Sequence, residues 1–344
     1  MKFDVIVGNP PYQLSDGGYG RSAKPLYHKF IQQAKKLNPR YLTMIIPSRW
    51  FAGGKGLDEF RKEMQKDKRI KILVDYPKSK ECFPMVDIAG GVCYFLWDRD
   101  YNGACKFISR IRKAETTSER FLDVFDIVLR DNVGIGLVHK VMAFNEKMMS
   151  DVVFKVGTFG FETYERGKPE PFKDSVKLIS SAGESYIEKS AVTKNQEHID
   201  NYKVCISGLT SDGADSSMPV NGMLNVINRV RLLGKNTVTT DTYIILYSSS
   251  DYEKVINCAN YIKTKFVRFM ILLTISSIHV TRRNFSFVPS QDFSEPWTDE
   301  KLYKKYGLTN DEITYIESMI RPMDLIRHSE ESRCNQKPNL LPLE

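Results

Sequence analysis

Residues 3 to 12 read FDVIVGNPPY, and this stretch decides the fold. The apolar run at residues 3 to 7 is rich in β-branched residues, which predicts a strand buried on both faces of a parallel sheet. The strand ends at Gly8. Because Pro10 and Pro11 fix φ and lack a backbone N–H, the residues that follow form a stiff loop that cannot continue the ladder. Ligands of open α/β sheets bind at the carboxyl ends of strands, so this loop is the predicted site of chemistry.

The loop presents groups that suit an exocyclic amine on a flat heterocycle. Asn9 offers a side-chain oxygen, Pro10 a backbone carbonyl and Tyr12 a flat ring. The two oxygens can accept both hydrogens of the amine while the ring stacks on the base. Because this arrangement localises the nitrogen lone pair, the amine can attack an electrophilic methyl group without a strong general base. Asn9, Pro10 and Tyr12 are therefore the predicted catalytic residues, and Pro11 is a predicted contact of the base.

The tetrapeptide NPPY resembles the hallmark of the amino-methylating DNA methyltransferases, in which Asp, Asn or Ser precedes two prolines and an aromatic residue. The NPPY form is most typical of gamma-class adenine-N6 enzymes. The resemblance implies double-stranded DNA as substrate, S-adenosyl-L-methionine as methyl donor and a target adenine that is flipped out of the duplex. The alternative is a proline-stiffened loop after any buried strand, but the strand-Gly-NPPY context narrows the motif.

The resemblance covers residues 1 to 112. Hydrophobic patterns predict a helix that stops at Asn38-Pro39, a strand in YLTMIIP, a helix at 57–64, and strands in IKILVDYP and GVCYFLWD. This order is that of the second half of the methyltransferase fold. The segment IPSRWF is closely similar to one in type IIG restriction-modification methylases, and its Arg49 is a candidate DNA contact. The predicted fold is α/β, the C-terminal half of a Rossmann-like sheet plus a mixed α+β target-recognition domain.

Phe95 is a second candidate for contact with the flipped base. In TaqI-like members of the family, a strand that follows a Phe-Pro pair ends with an aromatic residue opposite the NPPY tyrosine. Here Phe83-Pro84 supplies the pair, and the corresponding position is Phe95. Because its neighbours are also apolar or aromatic, a role in the core of the sheet is an equal alternative.

The cofactor motifs of this family are not found in the sequence. A complete enzyme needs a strand that ends in a Gly-rich turn, which precedes NPPY in gamma-class enzymes, and only eight residues lie upstream of Asn9. The pairs Gly134-Ile135-Gly136 and Gly157–Gly160 lack the strand-turn-helix context of the fingerprint. We therefore expect a fragment, a split chain or a truncated gene product that is inactive in isolation. A separate chain with the cofactor-binding half is a predicted partner.

Charge and composition agree with a DNA partner. Residues 1 to 112 contain 21 Lys and Arg against 11 Asp and Glu, a net charge of +10, while the whole chain carries +8. Basic charge beside NPPY would support sequence-independent affinity for phosphates. Neither a signal peptide nor a membrane span is apparent, and the scattered cysteines indicate reduced thiols with no zinc site. These features favour a cytoplasmic protein that binds no metal.

Residues 113 to 323 are the predicted target-recognition domain, and residues 324 to 344 a flexible tail. RKAETTSERF reads as a polar linker or turn, FVRFMILLTIS as a buried helix, and Thr298 and Thr309 as helix starts. Candidate DNA contacts are the basic residues that are interleaved with turn-prone ones, because Arg can contact guanine in a bidentate manner: Arg229, Arg231, Lys235, Arg282 and Arg283. Surface salt bridges explain each of them equally well.

The predicted function is site-specific adenine-N6 methylation of DNA, in which this chain binds the base. Two alternatives stay open: a non-catalytic DNA-recognition subunit of a restriction-modification system, and an inactive remnant. An endonuclease is disfavoured because no Pro-Asp is followed by an acidic-x-Lys triad on adjoining strands.

Overall fold

The computed structural model describes residues 3–14, 24–54, 56–86, 88–111, 114–211 and 222–326, which form two compact units. The first unit holds the residues up to Gly136 and Leu273–Ser277. Its strands are β1 (Val5–Gly8), β2 (Tyr41–Pro47), β3 (Ile70–Tyr76), β4 (Val92–Asp98), β5 (Cys105–Ile111) and β6 (Ala114–Arg120), with helices α1 (Tyr27–Lys36) and α2 (Asp58–Lys66). The predicted order of strand, helix, strand, helix, strand, strand is confirmed.

The six strands form one mixed sheet in the order β1-β2-β4-β3-β5-β6. β1 pairs with β2 in parallel, with Val5 opposite Tyr41 and Gly8 opposite Met44. β4 lies antiparallel between β2 and β3, and β3 pairs with β5 in parallel. The carboxyl ends of the parallel strands β1, β2 and β3 therefore lie at the same end of the sheet, which we call its carboxyl end.

Both helices of this unit pack on the same face of the sheet. One core cluster contains Ile31 of α1, Met64 of α2 and Leu42 of β2, together with Phe95 and Phe107. Alternation along each strand directs the side chains between these positions to the other face. Val74 of β3 and Val92 of β4, which alternation places on that other face, are also buried, at 3% and 0% exposure.

The first strand corrects one expectation. β1 is parallel as predicted, but it is the edge strand of this sheet and is not buried on both faces. Val5 is 53% and Val7 is 73% exposed, while Ile6 packs against the core cluster. Apolar, β-branched residues favour a strand, but they do not determine whether it lies inside the sheet or at its edge.

The segment AETTSER is a second correction, since it is a strand and not a linker or turn. β6 pairs antiparallel with β5 over its whole length and forms the far edge of the sheet. Its polar composition suits an edge strand, because only one of its sides is hydrogen-bonded to the sheet. The predicted domain boundary at residue 112 thus falls between two strands of one sheet, and the division into domains stays a prediction.

The second unit combines two small sheets with helices. Its elements are β7 (Ser175–Ser180), β8 (Gly183–Glu188), β9 (Tyr202–Ser207), β10 (Arg231–Leu233), β11 (Thr237–Thr239), β12 (Tyr243–Ser249), α4 (Tyr252–Lys263), α5 (Lys265–Leu272), α6 (Asp299–Lys305) and α7 (Asn310–Met319), while α3 (Asn132–Met142) begins in the first unit. The sheets have the orders β11-β7-β8 and β10-β9-β12. The chain is therefore mixed α and β in both units.

The helices near the carboxyl end begin where the sequence predicts. Thr298 caps α6 by accepting a hydrogen bond from the Lys301 backbone N–H, and Thr309 and Glu312 form a capping box at α7. α5 is the predicted buried helix, and even its Arg268 has no exposed surface. Within the described ranges, no helix is both long and apolar enough to cross a membrane.

Candidate active site

The NPPY loop follows β1 at the carboxyl end of the sheet, where the parallel strands end. Asn9 and Pro11 are exposed, Pro10 is buried and Tyr12 is half-buried. The Leu26 backbone N–H donates to the Tyr12 carbonyl at 3.0 Å, and Gln13 forms an isolated β-bridge with the segment before α1. These backbone contacts tie the end of the loop to the start of α1 and do not use the side chain of Asn9.

The two predicted hydrogen-bond acceptors are the Asn9 side-chain oxygen and the Pro10 carbonyl oxygen. Neither the Asn9 side chain nor the Pro10 carbonyl has a hydrogen bond to another described residue. The neighbouring strand β2 ends at Pro47, which has no N–H to donate. An amide oxygen and a carbonyl at adjacent positions can together accept two hydrogens from one amino group.

Tyr12 lies with its hydroxyl group turned into the protein. The hydroxyl oxygen is buried, and no residue that the structure describes forms a hydrogen bond with it. Burial, with smaller contributions from Cys93 and Cys82, raises the pKa of Tyr12 to about 12. The ring is therefore neutral at physiological pH, which suits stacking on a heterocyclic base.

Buried polar groups continue beneath the loop. Cys93 of β4 has no exposed surface, and burial raises the pKa of its thiol to about 12. Tyr27, the first residue of α1, is 2% exposed, and its hydroxyl oxygen is buried as well. Burial raises the pKa of Tyr27, with Cys93 acting in the same direction and Arg49 in the opposite one. The site thus contains two neutral tyrosines beside one neutral thiol.

Three residues, Ser48, Asp75 and Arg130, form a buried hydrogen-bonded cluster that joins β2 and β3 at the carboxyl end of the sheet, and we call this cluster the buried brace. Asp75 of β3 has no exposed surface and accepts two hydrogen bonds from the Arg130 guanidinium, at 2.7 and 2.8 Å. The Ser48 hydroxyl, directly after β2, donates to the same carboxylate at 2.7 Å. Sequence reasoning missed these three residues, although an aspartate inside the apolar run IKILVDYP was a signal that a buried partner was needed.

Phe95 lies in the core and not on the surface of the site. Its side chain has no exposed area and belongs to the cluster that α1 and α2 cover. Phe95 of β4 lies opposite Met44 of β2, and Met44 lies opposite Gly8 of β1. The position of Phe95 thus agrees with the alternative role in the core of the sheet, and its contact with a base stays a prediction.

The described residues do not supply the expected site for S-adenosyl-L-methionine. Gly134 and Gly136 lie inside α3, and Gly157 and Gly160 lie in a loop that no helix follows. The loop with Gly53, Gly54 and Gly56, all at positive φ, does lead into α2, but a 3₁₀ segment at Ser48–Phe51 separates it from β2. The Gly-rich turn needs a direct strand-to-helix junction, so none of these glycines fits the cofactor.

Among the predicted DNA contacts, Arg49 lies in the 3₁₀ segment after β2 and is half-buried. Arg229 and Arg231 are in the second unit, where both line a cleft of about 560 Å³ together with Lys177 and Lys263. Arg229 and Arg231 are exposed, and the Arg231 guanidinium lies 5.4 Å from the centre of the Tyr243 ring. The cleft has a net positive charge, because its lining contains four basic residues, Lys177, Arg229, Arg231 and Lys263, against the two acidic residues Glu184 and Asp324.

The other candidates of the second unit lie apart from that cleft. Lys235 is exposed, with its ammonium 5.1 Å from the centre of the Tyr202 ring. Arg282 and Arg283 line a separate cleft of about 520 Å³, where Arg282 Nε donates to the Ser150 carbonyl. The structure thus brings Arg229 and Arg231 together, and groups Arg282 with Arg283.

Comparisons with known proteins point to one class. Residues 1–83 match the family model described as Eco57I restriction-modification methylase. An "Uncharacterized adenine-specific methylase" of Mycoplasma pneumoniae is 41% identical over 122 residues, which is 35% of this chain and 29% of that protein. The sequence matches support a restriction-modification methylase family.

Two solved structures are similar at low sequence identity. The type IIL restriction-modification enzyme MmeI, in complex with DNA, is 8% identical with a TM-score of 0.43 over 93% of this chain and 55% of that one. The type IIG restriction endonuclease BpuSI is 9% identical with a TM-score of 0.36 over 92% and 53%. The chain thus spans about half the length of these enzymes and less of the Mycoplasma relative.

Proposed function

We propose that this chain is the base-binding part of a site-specific, gamma-class DNA adenine-N6 methyltransferase similar to the TaqI-like enzymes. The observation that carries the proposal is the position of NPPY: it follows an edge strand at the carboxyl side of the sheet, with the acceptors of Asn9 and Pro10 unengaged. The sequence match over residues 1–83 includes this motif. A stiff loop with no ligand would not need two adjacent free acceptors beside a neutral aromatic ring.

The proposed role of the loop is to hold and orient the adenine amine. The amine donates one hydrogen to the Asn9 side-chain oxygen and the other to the Pro10 carbonyl. Tyr12 stacks on the face of the base, and Pro11 contacts it. S-adenosyl-L-methionine, bound outside the described residues, would supply the methyl group. The extrusion of the base from the duplex costs a few kcal/mol of unstacking, which the stacking and hydrogen bonds in the site offset.

The proposed partner of the second unit is double-stranded DNA. The cleft with Arg229 and Arg231 supplies cations for phosphate contacts or for base readout in the major groove. A second candidate function is a non-catalytic DNA-recognition subunit. It is favoured by one observation, the lack of a Gly-rich strand-turn-helix junction among the described residues.

Methyl transfer in a reconstituted enzyme tests the proposal. The complementing polypeptide is the part of the Mycoplasma pneumoniae relative outside the segment that this chain matches. The two are coexpressed, and transfer of labelled methyl groups from S-adenosyl-L-methionine to DNA is measured. We expect Asn9→Ala to lower the rate about 100-fold or more, the usual effect of removing one oriented hydrogen-bonding group from an active site.

The matched control is Gln13→Ala, which removes an exposed amide four residues away and is expected to leave the rate within about twofold. Wild-type rates for Asn9→Ala would exclude the assigned role of the motif. Methylation by the isolated chain would contradict the predicted need for a second polypeptide. A stable complex that binds DNA but forms no N6-methyladenine would favour the recognition-subunit alternative.

A further inference from the structure

The loop that joins β3 to β4 lies at the carboxyl end of the sheet, as the NPPY loop does. We call it the β3–β4 loop, and the structure describes its residues 77–86 and 88–91. Only β2 separates β4 from β1, and neighbouring strands lie about 4.8 Å apart, so β4 starts roughly 10 Å from the end of β1. Burial and then the nearby thiols of Cys93 and Cys82 raise the pKa of Tyr12. Because Cys82 belongs to the β3–β4 loop, the two loops are neighbours.

The two ends of the β3–β4 loop meet at a glycine. Gly91 has a φ of +78°, and a Cβ atom at this position would overlap the carbonyl oxygens of Tyr76 and Pro77. The Ser48 backbone N–H donates to the Gly91 carbonyl at 3.0 Å. Only glycine permits so close an approach of two backbone segments at this φ. The base of the loop is therefore closed beside the buried brace.

A buried serine holds the middle of the loop. Ser79 is 2% exposed, and its hydroxyl accepts from the Ile88 backbone N–H at 2.8 Å and donates to the Val86 carbonyl at 3.3 Å. The Phe83 backbone N–H donates to the Ser79 carbonyl at 2.8 Å. Compact loops whose ends meet and whose interior is packed by their own side chains frequently carry function. These bonds fix the segment from Phe83 to Val86 relative to the sheet.

The outermost part of the loop is an apolar turn. The Val86 backbone N–H donates to the Phe83 carbonyl at 3.0 Å, which closes a four-residue turn with Pro84 and Met85 at its centre. We call Pro84, Met85 and Val86 the apolar tip. Pro84 is exposed, and Met85 and Val86 are 94% and 50% exposed. Single exposed apolar residues are common, but three in succession on a turn are unfavourable on a surface unless they serve a function.

We propose that the apolar tip enters the base stack of DNA at the place that the target adenine leaves. This inference rests on the proposed function, because it needs a base that is extruded beside Tyr12. Methionine and proline are among the side chains that proteins insert between base steps. The tip would replace part of the stacking that the neighbours of the extruded base lose, and so lower the cost of extrusion.

The chemistry of DNA and the charge of this unit identify the occupant. An intact duplex presents phosphates on its outside, and stacking covers the faces of its bases. Extrusion of one base uncovers the faces of its two neighbours, beside the loop that receives the base. Residues 1 to 112 carry a net charge of +10, and Lys78 and Lys80 are exposed at the foot of the loop. This charge favours the phosphates of DNA over a protein surface as the neighbour of the tip.

Oxidation by hydrogen peroxide tests whether DNA covers the tip. An accessible methionine is converted to its sulfoxide, and mass spectrometry follows each methionine of the full chain separately. We expect saturation with duplex DNA to slow the oxidation of Met85 about fivefold or more, because 94% of this side chain is exposed without DNA. Met142, at the end of α3 and 43% exposed, is the internal control and should be oxidised at the same rate with and without DNA.

A duplex with one abasic site tests whether the tip enters a gap. The missing base leaves a gap whose unstacking is complete before the protein binds, so no recognition sequence is needed. We expect the wild type to bind this duplex about tenfold more tightly than the intact one, the order of magnitude of one stacking contact. Met85→Gln should lose the preference and Met85→Leu should keep it, whereas the control Met142→Gln should behave as the wild type. Fluorescence anisotropy measures the affinities.

Each outcome decides the proposal. Unchanged oxidation of Met85 with DNA, no preference in the wild type, or the same preference in Met85→Gln would overturn it. Protection of Met85 without DNA, at high concentrations of the chain, would overturn it in favour of a contact between copies. Asn9→Ala separates the two proposals, because it should keep the preference for the abasic duplex and lose methylation in the reconstituted enzyme. If Asn9→Ala keeps both, the tip is assigned correctly and the role of NPPY is not.

Discussion

The buried brace beneath the NPPY loop gives the sharpest prediction of stability. Asp75→Asn removes the carboxylate charge but keeps the shape of the side chain. Asp75 has no exposed surface and the Arg130 side chain is only 10% exposed, so water cannot replace the lost interaction. The amide keeps one acceptor oxygen, and its NH₂ group cannot accept from the guanidinium. We therefore expect the free energy of unfolding to fall.

The magnitude follows from the three hydrogen bonds of the carboxylate, at 2.7, 2.7 and 2.8 Å. At least one of the two bonds from Arg130 is lost, and a hydrogen bond to a charged group contributes about 1.5–3 kcal/mol. Arg130 also loses its counter-charge, and removal of one partner from a buried ion pair typically costs about 3–5 kcal/mol in total. The first unit should therefore be destabilised by about 3–5 kcal/mol.

Urea unfolding followed by tryptophan fluorescence measures this change. Trp50 and Trp97 are buried in the core of the first unit, at 0% and 1% exposure, so they report on the unit that holds the brace. The control is Glu115→Gln, which removes the same kind of charge from a pair with Arg110 at 2.7 Å whose side chains are 50% and 43% exposed. It should cost less than about 1 kcal/mol. An equally small loss for Asp75→Asn would refute the reasoning.

Two further predictions concern the second unit. Lys203 has no exposed surface, and burial lowers its pKa from 10.5 to about 7. Because the unfolded chain binds more protons between these values, the stability of the wild type should rise by about 2 kcal/mol from pH 7 to 9, and urea titrations should show that Lys203→Met lacks this rise. For the basic cleft, replacing Arg229 and Arg231 by Ala should weaken DNA binding and reduce the slope of log K against log salt by about 1.8, measured by fluorescence anisotropy. Lys194→Ala, at an exposed position outside the cleft, should change neither.

Local signals explain which parts of the fold could be predicted. The strands and helices of residues 1 to 100 follow from apolar periodicity, and α6 and α7 from their caps. The sequence of β6 predicts a linker because it is polar and lacks apolar alternation, and only its pairing with β5 makes it a strand. The exposure of β1 depends on what packs against it, which its own residues do not encode.

The site divides in the same way. NPPY is a contiguous motif, so the positions of Asn9 and Pro10 at the end of a strand could be predicted. The brace joins residues 27 and 55 positions apart, and no local pattern links Ser48 or Arg130 to Asp75. An aromatic residue at position 95 suits a contact with a base and a place in the core equally well, and the structure places Phe95 in the core.

The brace and the pairing of β1 support the two sides of the candidate site unequally. The ends of β2 and β3 are held by a buried carboxylate with three hydrogen bonds, whereas β1 has a ladder on one side and only Ile6 packed against the core cluster. Asn9 therefore follows an edge strand that the brace does not reach, so we expect its oxygen and the Pro10 carbonyl to be less firmly held than the ends of β2 and β3.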